Sequence, residues 1–434
     1  MLKINIIGAG LAGSECALTL ADMGYKVNLF DIKEKQKTPA HHSNNFAEIV
    51  CSNSLKSDDE QTASGLLKRE LTALDCKLLS VAYKHRVPSG SALAVDREAF
   101  SGEVTNKLKD HPNITIICEE VSTFEKDAIT VVATGPLTTN NMCQALKQKI
   151  GEEFLYFYDA ASPIIEADSI DMEVAFLASR YNKGDADYIN CPMDKQEYTN
   201  FYNELVNAQV VQLHDFEKNH IFESCMPVEI MAKRGFDALR FGPLKPVGIT
   251  NPHKKDKPYA VIQLRKENNC ATMYNMVGFQ TNLTFAEQKR VFSLIPGLNN
   301  AKFLRYGVMH TNNFVNFPTC LDVYSRLKQD NNIFIAGQLS GVEGYVESIA
   351  SGHYVAINVD RMLKNKPLIS FSSNTIIGGL YNYLTNANSK NFQPINANFG
   401  VLNPIEIKNK QMRNSMYVQR SKEEIEKILN QIKE

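Results

Sequence analysis

The chain opens on a short apolar run, Ile4-Asn5-Ile6-Ile7, which stops at Gly8-Ala9-Gly10-Leu11-Ala12-Gly13. A helical apolar pattern continues to Met23, and a second apolar run, Val27-Asn28-Leu29-Phe30, ends on Asp31. Short apolar runs bounded by glycine read as buried strands, and the longer stretch between them reads as a helix. The unit is therefore strand, G-x-G-x-x-G turn, helix, strand, acid. Gly8 allows the tight turn, Gly10 lets a pyrophosphate approach the backbone, and Gly13 lets the helix pack close to the strand. The helix start offers N–H groups and partial positive charge to phosphate oxygens. Asp31 stands where a carboxylate accepts the two ribose hydroxyls of an adenosine.

The pattern beyond this unit extends the same architecture. Residues 33–45 are polar and read as a loop; 64–74 read as a helix, 87–95 as extended, and 96–108 as an amphipathic helix. The β-branched runs at 114–118 and 128–133 read as strands, the second ending in Ala133-Thr134-Gly135-Pro136. A doubly wound dinucleotide domain shows such an ending where the chain passes its cofactor. From about Tyr158 to Tyr306 strand and helix alternate irregularly, which predicts an inserted domain. A buried strand at 332–336 then leads into a second glycine-rich turn, Gly337-Gln338-Leu339-Ser340-Gly341-Val342-Glu343-Gly344, and a helix to about Leu363. An NAD enzyme needs one such turn. A two-part flavoprotein brings a late strand–turn–helix back to the isoalloxazine, so FAD is the expected cofactor. The division reads as a Rossmann-like FAD-binding domain over 1–157 and 307–434, with an α+β insertion over 158–306. At the far end Ser421 and Glu424 have the spacing of a capping box that would open a terminal helix. Ile425, Ile428, Leu429 and Ile432 fall on its packing face.

Composition narrows the function. At 434 residues the chain can hold two or three cores. A net charge of −1 provides no global field toward nucleic acid, so any RNA contact must use a local patch. One stretch qualifies. From Lys233 to Lys266 lie Lys233, Arg234, Arg240, Lys245, His253, Lys254, Lys255, Lys257, Arg265 and Lys266, with Phe236, Phe241 and Tyr259 interleaved. Cations with aromatics suit phosphate contacts and base stacking. Nine cysteines without a C-x-x-C pair or zinc-ligand spacing fit thiols of a reducing cytoplasm, with no metal expected. His41-His42 lacks partners at helical spacing and reads as solvated loop. No run reaches the roughly 20 apolar residues of a membrane span, and no signal peptide is legible.

Two cysteines stand out by context. Cys51 precedes Ser52-Asn53-Ser54, a turn or cap signal whose N–H groups favour a thiolate. Cys225 precedes a Met226-Pro227 helix start with Lys233 and Arg234 close behind. Read without further context, each is more readily a small core residue than a functional thiol, and Cys16, on the first helix, reads as packing.

Several strings together resemble one family. GAGLAGSECA (8–17), FAEIVCSNSLKS (46–57), VPSGSALAVDREAFS (87–101), VVATGPLT (131–138), YINCPMDKQEY (188–198), FESCMPVEIMAKRG (222–235), LRFGPLKPVG (239–248), KPYAVIQLR (257–265), RYGVMH (305–310), IFIAGQLSGVEGYVESIASG (333–352) and NANFG (396–400) resemble the FAD- and folate-dependent uridine-5 methyltransferases, the TrmFO family. That family is related to the GidA-type tRNA-modification flavoproteins. The resemblance implies that NADPH or NADH reduces FAD. 5,10-Methylenetetrahydrofolate then passes its one-carbon unit through the flavin to C5 of an RNA uridine, where it becomes a methyl group. It places cofactor contacts at Gly8, Ala9, Gly10, Leu11, Ala12, Gly13, Asp31, Ala133, Thr134, Gly135, Gly337, Gln338, Gly341, Val342, Glu343 and Gly344. It makes Cys225 the C6 nucleophile and Cys51 the flavin-side base or keeper of the one-carbon unit, with the two roles exchangeable. Thiols fit the task, since uracil C5 is a poor nucleophile until something adds at C6.

The chain departs from the family pattern after RYGVM. His310-Thr311-Asn312-Asn313-Phe314 replaces the usual His-Arg-Asn-Thr-Phe, so an arginine suited to folate's glutamate or an RNA phosphate is missing. The implied substrate is the tRNA T-loop uridine. The same chemistry on a 23S ribosomal RNA uridine is the alternative. A GidA-type wobble modification and a non-methylating flavin-bearing RNA-binding or ribosome-associated factor are the other readings. Oligomeric state is not legible.

Overall fold

In the computed structural model, which describes residues 2–38, 40–151, 155–182, 185–211, 226–254 and 256–433, the first apolar runs lie side by side. A six-stranded sheet has the spatial order Arg326–Leu327, Asp330–Ile335, Ala128–Val132, Lys3–Ile7, Val27–Phe30, Ile114–Ile117. All neighbours are parallel except the Arg326–Leu327 edge. Ile4 lies opposite both Val27 and Ile129, so Lys3–Ile7 is central. The chain winds outward on one side of this strand and then returns on its other side. That reversal opens a crevice at the carboxyl ends of the strands. Helix Leu11–Asp22 lies against the sheet and is buried from Leu11 to Ala21. The late helix Tyr345–Leu363 packs on it so closely that a Cβ at Gly352 would lie 2.1 Å from the Ala12 carbonyl oxygen. The fold is thus Rossmann-like, as the opening unit predicts.

A second six-stranded sheet is wholly antiparallel, in the order Phe176–Ala178, Tyr188–Met193, Ala260–Lys266, Met273–Met276, Ile164–Glu166, Phe303–Arg305. Its strands come only from residues 164–305, and its buried side chains form a cluster separate from that of the first sheet. Pro192 interrupts Tyr188–Met193 without penalty, because Phe176–Ala178 pairs only with Tyr188–Asn190 and leaves that edge of Pro192 open. Strands Leu155–Ala160 and Met309–Phe314, at the two crossings between the sheets, pair antiparallel with each other.

The terminal helix corrects the capping-box expectation. It runs from Lys410 to Lys433, so Ser421 is an interior residue and not its start. Nothing between Lys410 and Ser421 can stop a helix, neither proline nor glycine. The Ser421 hydroxyl faces inward and donates to the Glu70 carboxylate at 2.6 Å. Glu70 also accepts the Ile376 and Ile377 N–H groups at 2.6 and 3.0 Å. One buried carboxylate therefore joins helices Ala63–Ala73, Ile376–Asn386 and Lys410–Lys433. Ile425 and Ile428 are buried, and Leu429 and Ile432 pack beside them, as the periodicity predicts.

Burial pushes Glu70 up to about 7, despite three hydrogen bonds that work the other way. The fold thus binds a proton there more readily than the unfolded chain does. Stability from this group is complete at acid pH and is lost as pH rises toward 7. The amount is about 3 kcal/mol. A Glu70→Gln variant should show a flatter melting profile than wild type between pH 5 and 7. Parallel profiles would show that Glu70 is ionised throughout.

Candidate active site

The crevice of the first sheet is a narrow cavity lined by Gly8, Ala9, Gly10, Asp31, Thr134 and Thr138 among others. A Cβ on Gly8, whose φ is +99°, would lie 2.5 Å from the Ala133 carbonyl oxygen. One on Gly13 would lie 1.8 Å from the Gly8 carbonyl oxygen, while one on Gly10 meets nothing within 4 Å. The first and third glycines are thus fixed by packing and the second by open space. Helix Leu11–Asp22 begins at Gly10 with no side-chain cap, which leaves its first N–H groups for a phosphate. Asp31 accepts the Ala9 and Lys33 N–H groups at 2.7 and 2.8 Å, which fixes its carboxylate at the cavity wall. Open space at Gly10, an uncapped helix start and a fixed acid fit the adenosine diphosphate half of FAD. The polar loop folds over this cavity: Lys33 and Glu48 form a buried ion pair at 3.0 Å, and Gln36, Thr38 and His41 line the cavity. His41 is half-buried and His42 exposed.

The second glycine turn lies on the same sheet. Gly337–Ser340 forms a tight turn, Val342 bridges to Ile395, and the Gln338 amide donates to the Glu343 carboxylate. Gly344 has φ +126°, and a Cβ there would meet the Glu347 Oε2 at 2.1 Å. Helix Tyr345–Leu363 starts here without a side-chain cap. Glu347 accepts from Lys56 at 2.9 Å and from the Ala397 N–H at 3.0 Å, while its Oε2 is buried with no hydrogen-bond partner among the described residues.

Cys51 is held against this turn. The Tyr345 hydroxyl accepts the Cys51 and Ser52 N–H groups at 2.7 and 3.1 Å. Arg97 donates to the Ile49 and Cys51 carbonyls at 2.6 and 3.4 Å and pairs in bidentate fashion with Glu267. Arg265, from the second sheet, donates to Asn53 Oδ1 at 2.8 Å and to Ser52 Oγ at 2.6 Å. The Asn53 amide in turn reaches the Val95 and Lys266 carbonyls. Two guanidinium groups, the half-buried Arg97 and the buried Arg265, one from each sheet's unit, thus hold residues 49–53. Burial opposes the charge on Arg97, but Glu267 more than offsets it and the pKa is raised. Arg305 is pushed down by burial and then by the like charge of Arg97. Arg97, Arg305 and Tyr345 all interact electrostatically with the Cys51 sulfur. Burial first, and next Cys51, raises the Tyr345 hydroxyl, which stays neutral and keeps its hydrogen-bonding role.

Between the two sheets opens a cleft of about 830 Å³, lined by Ile49, Arg97, Glu267, Phe285, Arg305 and Tyr306 among others; the cysteine in its wall is Cys270, and the Cys51 loop reaches it at Glu48 and Ile49. Phe303, Tyr306 and Phe285 form a three-ring stack, with centroids 5.4 and 4.9 Å apart and interplanar angles of 13° and 16°. Phe285, at the end of the stack, is half exposed. The Arg305 Nε is buried without a hydrogen-bond partner among the described residues. A cleft with a flat ring face and arginine side chains in its wall suits a planar, hydrogen-bonding ligand.

Not every expected residue converges here. Cys225 lies outside the described residues; the chain resumes at Met226, buried next to helix Val228–Lys233. Cys16 is fully buried and its thiol is pushed up by burial, in keeping with packing. The basic stretch divides, and this corrects the expectation for Arg265. It points inward from Ala260–Lys266 and is 6 % exposed, since its task is to hold the Cys51 loop. Arg97, Arg305 and Tyr345 received no role from sequence. One signal for Arg97 was available: a cation at the first position of helix Arg97–Asp110 opposes the helix dipole and calls for another reason to be there.

The family model described as Glucose inhibited division protein A (GIDA) matches residues 3–367. The methylenetetrahydrofolate--tRNA-(uracil-5-)-methyltransferase TrmFO of Bacillus velezensis is 51 % identical over 427 residues, covering 98 % of each chain. Its counterpart in Listeria monocytogenes is 50 % identical over 432 residues, covering 99 % of each. Aquifex aeolicus GidA shares the fold, with a TM-score of 0.70 over 98 % of this chain and 73 % of that one at 15 % identity. Half the residues agree across nearly the whole length, the glycine turns and the Cys51 loop included in the span, and the chain belongs to the TrmFO family of GidA-type proteins.

Proposed function

We propose that this protein is a methylenetetrahydrofolate-dependent methyltransferase that forms 5-methyluridine in tRNA, at the T-loop uridine, in the cytoplasm. The observation that carries this reading is the link between Cys51 and Tyr345, the residue that follows the second glycine turn. It ties the Cys51 backbone to the side chain of the first residue of helix Tyr345–Leu363, two residues from Ile49 in the wall of a cleft able to admit a planar ring. FAD, when bound, supplies electrons drawn from NADPH or NADH and carries the one-carbon unit.

The chain's own residues do the rest. Gly10 and the Leu11–Asp22 helix start hold the diphosphate, and Asp31 the ribose. The Cys225 sulfur adds to C6 of the uracil, and the electron pair moves to C5, which then attacks the one-carbon unit. Cys51 takes the C5 proton or keeps the one-carbon unit in place. Loss of the C5 proton re-forms the C5–C6 double bond and expels the Cys225 sulfur, and the electron pair held by reduced FAD would release the carbon from its carrier and take it to the methyl level. Arg97, through the Ile49 and Cys51 carbonyls, and Arg265, through the Ser52 and Asn53 side chains, hold the loop that carries Cys51 through these steps.

Purified holoenzyme with a reduced nicotinamide and labelled methylenetetrahydrofolate, offered unmodified tRNA and 23S ribosomal RNA transcripts side by side, tests the reading. Label in the T-loop uridine of tRNA is expected. Label in the ribosomal transcript alone would transfer the same chemistry to the alternative substrate. Label in neither would overturn the methyltransferase reading.

A further inference from the structure

The basic stretch contains three interleaved aromatics, and the structure assigns them different fates. Phe236 packs edge-on against Tyr198 and Tyr202, with centroids 5.1 and 4.9 Å apart. Tyr259 lies under the Arg240 guanidinium at 3.6 Å. Phe241 is 83 % exposed, the most exposed large apolar side chain among the described residues. It ends the short helix Ala238–Phe241, whose Leu239 is fully buried. The segment that presents it is well anchored. The Tyr198 and Tyr202 hydroxyls donate to the Phe236 and Ala232 carbonyls, Arg240 Nε donates to the Tyr259 carbonyl at 3.0 Å, and the Leu244 N–H donates to Leu239. A rigid backbone therefore holds a bare phenyl ring in water.

Its surroundings are cationic. Lys233, Arg234 and Lys245 are exposed on the same segment, and exposed Lys257 lies two residues before Tyr259, which Arg240 ties to the segment. Asp237 is matched by Arg240 at 2.5 Å, and Asp256 lies between Lys254 and Lys257. The segment exposes two large apolar side chains, Phe241 and the half-exposed Val247, too little for the contiguous apolar patch that a protein partner needs. An exposed ring among cations is the combination that single-stranded nucleic acid uses, a ring for base stacking and cations for the flanking phosphates.

The geometry points to the 233–257 surface as the docking platform for an unpaired nucleotide of the RNA substrate, with a base stacked on Phe241 and neighbouring phosphates on Lys233, Lys245 and Lys257. This rests on RNA being the substrate, and it names where the RNA is held outside the reaction cleft. Binding of fluorescent unmodified tRNA to the holoenzyme, followed by anisotropy, tests it independently of methyl transfer. Phe241→Ala and Phe241→Leu should each weaken binding about 5- to 100-fold, and Phe241→Trp should restore it, because stacking needs a π-face. Lys233→Gln and Lys245→Gln should each lower the slope of log affinity against log salt by about one. Melting temperature and FAD content should stay at wild-type values, since the Phe241 ring touches solvent. Wild-type affinity in Phe241→Ala, or equal rescue by Leu and Trp, would overturn the platform. Failure of wild-type protein to bind any RNA would instead overturn the substrate reading on which it rests.

Discussion

Replacing Cys51 by alanine should lower methyl transfer to tRNA by at least about 100-fold and leave the protein folded with its FAD. A positioned proton acceptor contributes about 10²- to 10⁴-fold, and a group that keeps the one-carbon unit in place contributes on a similar scale. Folding should be spared, because the contacts that Tyr345, Arg97 and Arg265 make with this loop go to backbone atoms of 49–52 and to the side chains of Ser52 and Asn53, all retained in the variant. Single-turnover labelling, with FAD absorbance and melting temperature as controls, measures both halves of the expectation. A second arm separates the two cysteines. RNA carrying 5-fluorouridine at the target cannot lose its C5 substituent as a proton, so a sulfur adduct at C6 persists. That adduct should survive denaturation in wild type and in Cys51→Ala and be absent in Cys225→Ala. An adduct that depends on Cys51 instead would exchange the roles of the two thiols. Activity within tenfold of wild type in Cys51→Ala would remove that sulfur from the chemistry.

The second large effect is a contrast between two glycines three residues apart. Gly13→Ala puts a methyl group 1.8 Å from the Gly8 carbonyl oxygen and 3.3 Å from the Ala133 Cβ. Backbone lies on the facing side, so helix Leu11–Asp22 must move off the sheet, at a cost of about 3 kcal/mol or more. Gly10→Ala meets nothing within 4 Å, and its φ of −73° is one any residue adopts. It should leave the apoprotein's melting temperature unchanged yet weaken FAD binding at least about tenfold, because its methyl group occupies the approach of the diphosphate. Thermal melting of both apoproteins and FAD titration of each give the four values needed. Equal behaviour of the two variants would mean that the diphosphate does not pass over Gly10.

Most of the dinucleotide site was legible because its constraints are local. A strand, three glycines at fixed offsets and an acid at the end of the next strand are determined within 31 residues, and the structure places Gly8, Asp31 and Ala133 at one crevice. The surroundings of Cys51 were not legible for the opposite reason. Arg97, Arg265 and Tyr345 reach the loop from sequence separations of 46, 213 and 294. No periodicity connects them. Arg265 shows how composition misleads: counted among surface cations, it is an inward residue of a strand that alternates its faces. The Ser421 capping box failed similarly. Its spacing is genuine, but Glu70, 351 positions away, uses the hydroxyl for another purpose.

The clamp on residues 49–53 has a consequence for how RNA is sensed. Arg97 belongs to the unit that carries the glycine turns, and Arg265 to the antiparallel sheet. A tilt of one sheet relative to the other would load the Ser52 and Asn53 contacts that hold the Cys51 loop. Seating of a large polynucleotide across both halves would therefore bear, through these contacts, on the thiol proposed for the chemistry. Substitutions at the seam between the halves should accordingly slow turnover even where they touch neither nucleotide nor folate.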